Sequence, residues 1–523
     1  MRRAFLMTAL AIGSGYLFGM TVPDYGIIQN NDGNDMSNYP DGKAITEEAF
    51  RSLRLNECSE SNCRVIFYCP GVTAFTLCTK AGEFMSNDVS ERKGHHNAAP
   101  QFKEKGLDAL EMTIRFCREH KIGIWVTIRM NDAHDAGLKQ LMPQYKKDHP
   151  DWLVSYDSAS PGERRRLKCG SWSMLNYSKR EVREYIFKFL SDLVGNYDVD
   201  GLDLDFCRHF LFFQSVALGG KASSEETAAM TDLMRRVRRM TREVGERRGR
   251  EVWISARTCD GFEYCRACGV DVENWLKEGL LDAWTATSYY QLEHWGISAA
   301  VAKKYGVKFY ASMDESRIEN CLLHYGPYKR KPFIVIQGRN SINTFAARFA
   351  TAMANGCDGV NLFNLDDIAN GDGAKRILSL NPRNPNTPER WYYAMERGMG
   401  GAEPQSYLVG GEKYCHTSRL QPGWPIEITP ARPYEFRREM ADERDAKDVL
   451  IEIADTTECG GKLKLLVNGV RASELPYDTA QKQIHTFRIC PKTLLKGLNT
   501  FSIRALENIQ GMMLYDFRLR SIR

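Results

Sequence analysis

Three absences narrow the field before any motif is read. Beyond its N-terminal apolar stretch the chain has no run approaching the about 20 apolar residues that cross a bilayer, so no further membrane span is expected. It has no charge imbalance: 71 basic and 66 acidic residues leave +5 on 523 residues, too near balance to imply a nucleic-acid partner. It has no internal repeat and no extended low-complexity tract. The densest basic run, Arg235 to Arg250, is interleaved with Val237, Met240 and Val244 at helical spacing. It is read as the solvated face of an outer helix. The 15 cysteines are scattered and odd in number. Cys265-Arg-Ala-Cys268 has no second pair at zinc-ribbon spacing. No disulfide framework, metal or cofactor is implied, although Cys58 and Cys63 are a candidate bridge in an exported protein.

What is present describes a globular protein, 43% apolar and 26% charged, and too long for one usual core. Met1-Arg-Arg-Ala-Phe-Leu starts a basic and then apolar segment, as secretory signals do. Residues 1–22 are therefore expected to be a signal peptide or an uncleaved anchor, and the protein to be exported.

Eight short apolar runs follow, separated by helical stretches: Tyr25–Gln29, Val65–Cys69, Ile122–Ile128, Gly201–Phe206, Val252–Ser255, Leu281–Ser288, Val307–Ala311 and Gly359–Phe363. Phe333–Gln337 is a ninth candidate. Such alternation predicts an α/β fold, a closed (β/α)₈ TIM-like barrel over residues 23–403. A helical segment around Trp391 to Glu396 is expected to finish it. Beyond Pro404 come short alternating strands without helices, so residues 404–523 are expected to form a jelly-roll-like β-sandwich.

The chemistry concentrates in Gly201-Leu-Asp-Leu-Asp-Phe206. Its period of two puts Leu202, Leu204 and Phe206 on one face and Asp203 and Asp205 on the other, with Gly201. Buried carboxylates are costly unless paired. At the end of a barrel strand they are candidates for acid/base work, with pairing to arginine or backbone as the structural alternative.

Leu175-Asn-Tyr-Ser, a helix from about Arg180, and Tyr197-Asp-Val-Asp-Gly-Leu-Asp-Leu-Asp-Phe together resemble the bacterial glycosyl-hydrolase-like family ten. So do His149-Pro-Asp-Trp-Leu and Gly356-Cys-Asp-Gly-Val-Asn-Leu-Phe-Asn. The likeness extends over roughly Tyr25 to Met399 and implies a glycoside hydrolase acting on a polysaccharide or oligosaccharide. Acetal cleavage takes one carboxyl to protonate the leaving oxygen and a second as nucleophile or base. Asp203 and Asp205 stand roughly 7 Å apart along one strand and do not flank a bond between them. The resemblance implies a partner after the seventh strand, Asp314, with Glu315 beside it. Asp260 and Glu263, then Asp366 and Asp367, come next. In related sequences Glu is common where Asp203 stands, which leaves Asp205 as the preferred acid/base. The similar chitinase motif has an acid at the position of Cys207, so a substrate-assisted chitinase mechanism is not expected.

Other strand ends supply expected substrate contacts: Asp32, Arg129, Asn131, Asp132 and His134, then Arg208 and His209, Arg257, Asp260 and Asn364. Tyr289 and Tyr290 lie where such barrels carry a substrate-contacting tyrosine. Trp172 and Trp295 are further aromatic candidates. An inert carbohydrate-binding barrel and a metal-dependent hydrolase are the alternative readings.

Overall fold

A computed structural model describes residues 21–71, 74–77, 79–86, 93–155, 167–286, 291–314, 335–363, 365, 372–395, 404–422, 424–457, 460–478 and 483–523. Eight parallel strands close into a barrel in sequence order. They are β1 (Ile27–Asn31), β2 (Val65–Tyr68), β3 (Gly123–Arg129), β4 (Gly201–Asp205), β5 (Trp253–Thr258), β6 (Ala283–Ala286), β7 (Lys308–Asp314) and β8 (Gly359–Phe363). β8 pairs back onto β1, with Ile28 opposite Asn361. No place is left for a ninth strand: Ile336 lies outside the named strands, and Phe333 lies outside the described residues.

Period two explains β4. Leu202 and Leu204 pack outward into the main core, while the axis at the N-terminal end holds a separate cluster of Tyr25, Ile28, Phe67, Trp125, Ala283 and Tyr310. Trp125 stacks on Phe67 and on Trp253, at 5.0 and 6.2 Å between centroids. Gly201 is the inward residue of β4 at this level. A Cβ there would lie 2.4 Å from the Trp125 ring, so the indole takes the space a side chain would need. The barrel floor is thus a packed aromatic plug, and Asp203 and Asp205 stand above it.

Helices cover the outside. α1 (Arg180–Asn196) buries Val182, Ile186, Phe189, Leu190 and Leu193, the spacing of one helical face. α2 (Ser224–Arg248) starts at a Ser223/Glu226 capping box and stops at Gly249 in the left-handed conformation. Three of its arginines are paired across the surface: Arg235 with Glu278, Arg236 with Glu184 and Arg238 with Asp282. The run is an ion-paired outer face.

The C-terminal strands form a β-sandwich of two antiparallel sheets. One contains β9 (Glu389–Tyr393), β11 (Asp448–Asp455), β13 (Ile484–Ile489) and β15 (Met513–Ile522); the other is built on β10 (Tyr434–Met440), β12 (Leu463–Val467) and β14 (Gly497–Ala505). The expected helix around Trp391 is instead β9, which pairs antiparallel with β15, Trp391 opposite Arg520. Alternation explains this: Arg390 and Tyr392 point inward to Glu443, and Trp391 lies under Arg518 on the other face. The chain returns to the barrel before the sandwich resumes, with Gly170 N–H donating to Ser406 O and Tyr264 OH to Pro404 O.

Cys58 and Cys63 are buried free thiols, as are Cys265 and Cys268, so the candidate bridge is not formed. Among the described residues no helix is long and apolar enough to cross a membrane. Residues 1–20 lie outside the described range.

Candidate active site

The register of β3, β4 and β5 sets Arg129, Asp205 and Arg257 side by side. All three are at the C-terminal rim, where barrel strands carry chemistry. Arg257 is 1% exposed. It donates from Nη2 to Asp203 Oδ2 at 2.9 Å and to Asn30 Oδ1, and its Nη1 lies 3.7 Å from Asp205 Oδ2. Thr127 Oγ1 donates to the same Asp203 oxygen at 3.1 Å. Burial pushes the Asp203 carboxyl up; Arg257 opposes this and Asp205 adds to it. Asp205 Oδ1 accepts from Cys207 N–H at 2.9 Å.

A second group gathers around Asp132, joining two stretches that are far apart in sequence. Arg129 bridges Asp132 at 3.0 Å and Asp32 at 2.8 Å. Burial raises the Asp32 carboxyl, but Arg129, Arg208 and Arg54 outweigh it and hold the group well below the usual range. For Asp132 burial is likewise outweighed, by His134, His209 and Arg129. Asp132 Oδ1 contacts His134 Nδ1 at 2.7 Å, and Arg208 Nη2 contacts His134 Nε2 at 3.0 Å. Arginine is always a donor, so Nε2 accepts and the ring proton sits on Nδ1, directed at Asp132. Burial pushes the His209 imidazole down to about 3, against the pull of Asp132, which leaves it neutral at neutral pH.

Asp132, His134 and His209 bring one potential metal ligand atom each within 4.8 Å. Their donor chemistry does not suit a cation. The Nδ1 lone pair of His134 is taken by its proton and Asp132 is paired with a guanidinium. A metal on Nδ1 would move that proton to Nε2, facing the N–H of Arg208.

Two expected binding residues have other work. Asn131 is 2% exposed; its amide donates to Leu175 O and Leu211 O and accepts from Leu175 N–H, at 3.0, 2.7 and 3.0 Å. It ties the loops together and has no donor left for a sugar. Leu175-Asn-Tyr-Ser therefore serves as a brace. Asp260 is 1% exposed and accepts from Leu292 N–H at 2.8 Å, anchoring the segment after β6. Trp295 is buried in the first turn of a helix and Trp172 packs against the core. Asp314 ends β7, opposite Phe363 of β8. Glu315, Tyr289, Tyr290, Asn364, Asp366 and Asp367 lie outside the described residues.

Sequence reasoning missed Lys146, buried and paired with Asp135 at 2.8 Å, whose Nζ also donates to Asp132 O at 3.0 Å. It missed Tyr407 too, edge-on to His209 at 6.4 Å. Neither carries a local signal: Lys146 lies in a polar run, and Tyr407 follows the expected domain boundary.

Asp260 gives a pH prediction. Burial pushes its carboxyl up to about 7, so the folded chain keeps a proton that the unfolded chain releases near the ordinary carboxylate value. Stability from this group therefore falls as pH rises from about 4 to 7. Asp260→Asn keeps an acceptor for Leu292 and has no proton to lose. Its stability relative to the parent is expected to rise across that window by on the order of 3 kcal/mol and level off above it. Urea melts at pH 4.5 and 7.5, as about the two ends of the window, check this; a constant difference rejects the assignment.

No family model matches the chain. A 150-residue stretch is 32% identical to an S-layer-related protein of Niallia circulans, covering 28% of this chain and 9% of that protein. Several similar solved structures are glycoside hydrolases. The PgaB (BpsB) glycoside hydrolase domain of Bordetella bronchiseptica has a TM-score of 0.41 at 13% identity, over 68% of this chain and 98% of its own. The alpha-L-fucosidase isoenzyme 2 of Paenibacillus thiaminolyticus has 0.40 at 10%, over 68% and 48%. A family 18 N-acetylglucosaminidase of Paenibacillus barengoltzii has 0.35 at 12%, over 68% and 99%. The chain thus spans about half the length of the fucosidase and a small fraction of the S-layer-related protein.

Proposed function

We propose that the protein is an exported glycoside hydrolase, akin to the glycosyl-hydrolase-like family ten, that cleaves glycosidic bonds in a polysaccharide or oligosaccharide. One observation carries the reading: of the carboxylates described at the mouth, Asp32, Asp132 and Asp203 each contact a guanidinium at 2.8 to 3.0 Å, while Arg257 Nη1 stands 3.7 Å from Asp205 Oδ2. Asp205 is the acid/base. Asp203 orients Arg257, and Asp314 at the end of β7 is the second carboxylate. Arg129, Arg208, His209 and Asp32 contact the sugar, together with Tyr289, Tyr290, Glu315 and Asn364. A carboxylate at the mouth suits the positive charge of the oxocarbenium-like transition state of glycoside cleavage, while fixed donors around it suit the positioning of sugar hydroxyls. The stretch similar to an S-layer-related protein supports export. The reaction as proposed needs no cofactor.

Screening the purified protein against a polysaccharide panel with reducing-end detection tests this. New reducing ends on at least one polysaccharide are expected. Retention on a polysaccharide gel without reducing ends would make it an inert binding barrel. Activity abolished by a chelator and restored by a divalent ion would make it a metal-dependent hydrolase.

A further inference from the structure

The aromatic plug and the rim site are separated by one layer of side chains, and that layer is unusual for a barrel interior. Ile28, Phe67, Trp125, Ala283 and Tyr310 lie in the plug with Trp253 packed against them. Gly201 and Gly359 press on Trp125 and Tyr310 respectively. Two residues further along a strand the side chain faces the axis again. Those next inward residues are Asn30, Cys69, Thr127, Asp203, Ser255, Thr285, Ser312 and Asn361. None is a branched aliphatic, although barrel interiors are dominated by such residues. All are buried, Asp203, Ser255, Thr285 and Asn361 completely.

Five atoms of this layer have no partner at full hydrogen-bond geometry, Asn30 Nδ2, Asp203 Oδ1, Ser255 Oγ, Thr285 Oγ1 and Asn361 Nδ2, although Ser255 lies near enough to Asp203 to favour its charged form. Arg257, which roofs the layer beside Phe363, adds its Nε and Nη1. One buried orphan costs about 1–3 kcal/mol, and so many around one axis are not tolerated dry. We propose that the barrel encloses a hydrated chamber between plug and rim, occupied by ordered water that hydrogen-bonds Asp203, Ser255, Thr285, Asn30 and Asn361.

The donor pattern selects water over other occupants. Asn30 Oδ1 already accepts from Arg257, and Asn361 Oδ1 from Ser312 Oγ at 3.3 Å. Their amide N–H groups are therefore what remains, and they repel a cation. Asp203 Oδ1 is an acceptor and repels an anion. The hydroxyls of Ser255 and Thr285 serve either way. Only a ligand that both donates and accepts satisfies the set. The water also gives Asp203 a proton-exchange partner beneath the guanidinium that faces Asp205.

Thr285→Val tests the chamber because it is nearly isosteric and removes one polar atom. If water binds Thr285, the variant takes a partner from that water and Tm falls by about 2 °C. If the chamber is dry, the valine removes an orphan hydroxyl and Tm rises. A crystal structure of the full chain at a resolution that orders waters is the second measurement. Density within hydrogen-bonding distance of Asp203 Oδ1 and Thr285 Oγ1 is expected. Absent density there, or a raised or unchanged Tm in Thr285→Val, overturns the proposal. Neither readout depends on the protein being a hydrolase.

Discussion

Asp205→Asn is expected to lower turnover by about 10²- to 10⁴-fold, the usual worth of general acid–base help, with the fold intact and substrate affinity little changed. The fold should survive because the main tie of Asp205 is an accepted hydrogen bond from Cys207 N–H, which an amide oxygen also accepts. Charge loss is modest in its structural effect, since Arg257 keeps Asp203 at 2.9 Å. The measurement is kcat and KM of the parent and variant on whichever polysaccharide yields reducing ends, with Tm recorded alongside. Turnover retained in a well-folded variant would move the assignment to Asp203 and Asp314. Turnover lost together with several degrees of Tm would make Asp205 structural.

Arg257→Met should be the most damaging single change to stability among the mouth residues. It removes the only cation touching Asp203 among the described residues, and Asp203 is completely buried. Stripping one partner from a buried pair costs about 3–5 kcal/mol. The sign of the pH dependence follows from the survivor. A protonated Asp203 needs no cation, so the deficit should shrink towards acid pH and grow as pH rises. The double variant Asp203→Asn/Arg257→Met should recover part of the loss, because neither partner is then left charged and alone. Urea melts of the parent, both singles and the double close the cycle. Additive losses would mean that the 2.9 Å contact contributes no coupling.

The barrel was legible from the chain because its signal is local. Leu202, Leu204 and Phe206 alternate with Gly201, Asp203 and Asp205, and a period of two decides which way each side chain points before any partner is known. The eight apolar runs and the helices between them leave few alternatives to a closed parallel sheet. The strands after residue 404 were legible for the same reason. β9 was not: Glu389–Tyr393 is short and aromatic, and only pairing with β15 at the far end of the chain makes it a strand.

Partnership at the site was decided by tertiary structure. Sequence order places Arg129 and Arg257 at strand ends, but it does not say that one bridges Asp32 to Asp132 while the other holds Asp203 at 2.9 Å and stands 3.7 Å from Asp205. Asn131 and Asp260 looked like sugar ligands because polar residues at strand ends often are. In the fold their polar groups meet backbone atoms of neighbouring loops instead. The reason is physical. Direction along a strand is fixed by backbone geometry within a few residues, whereas hydrogen-bond partners come from segments tens to hundreds of residues away, as Asn30 does for Arg257.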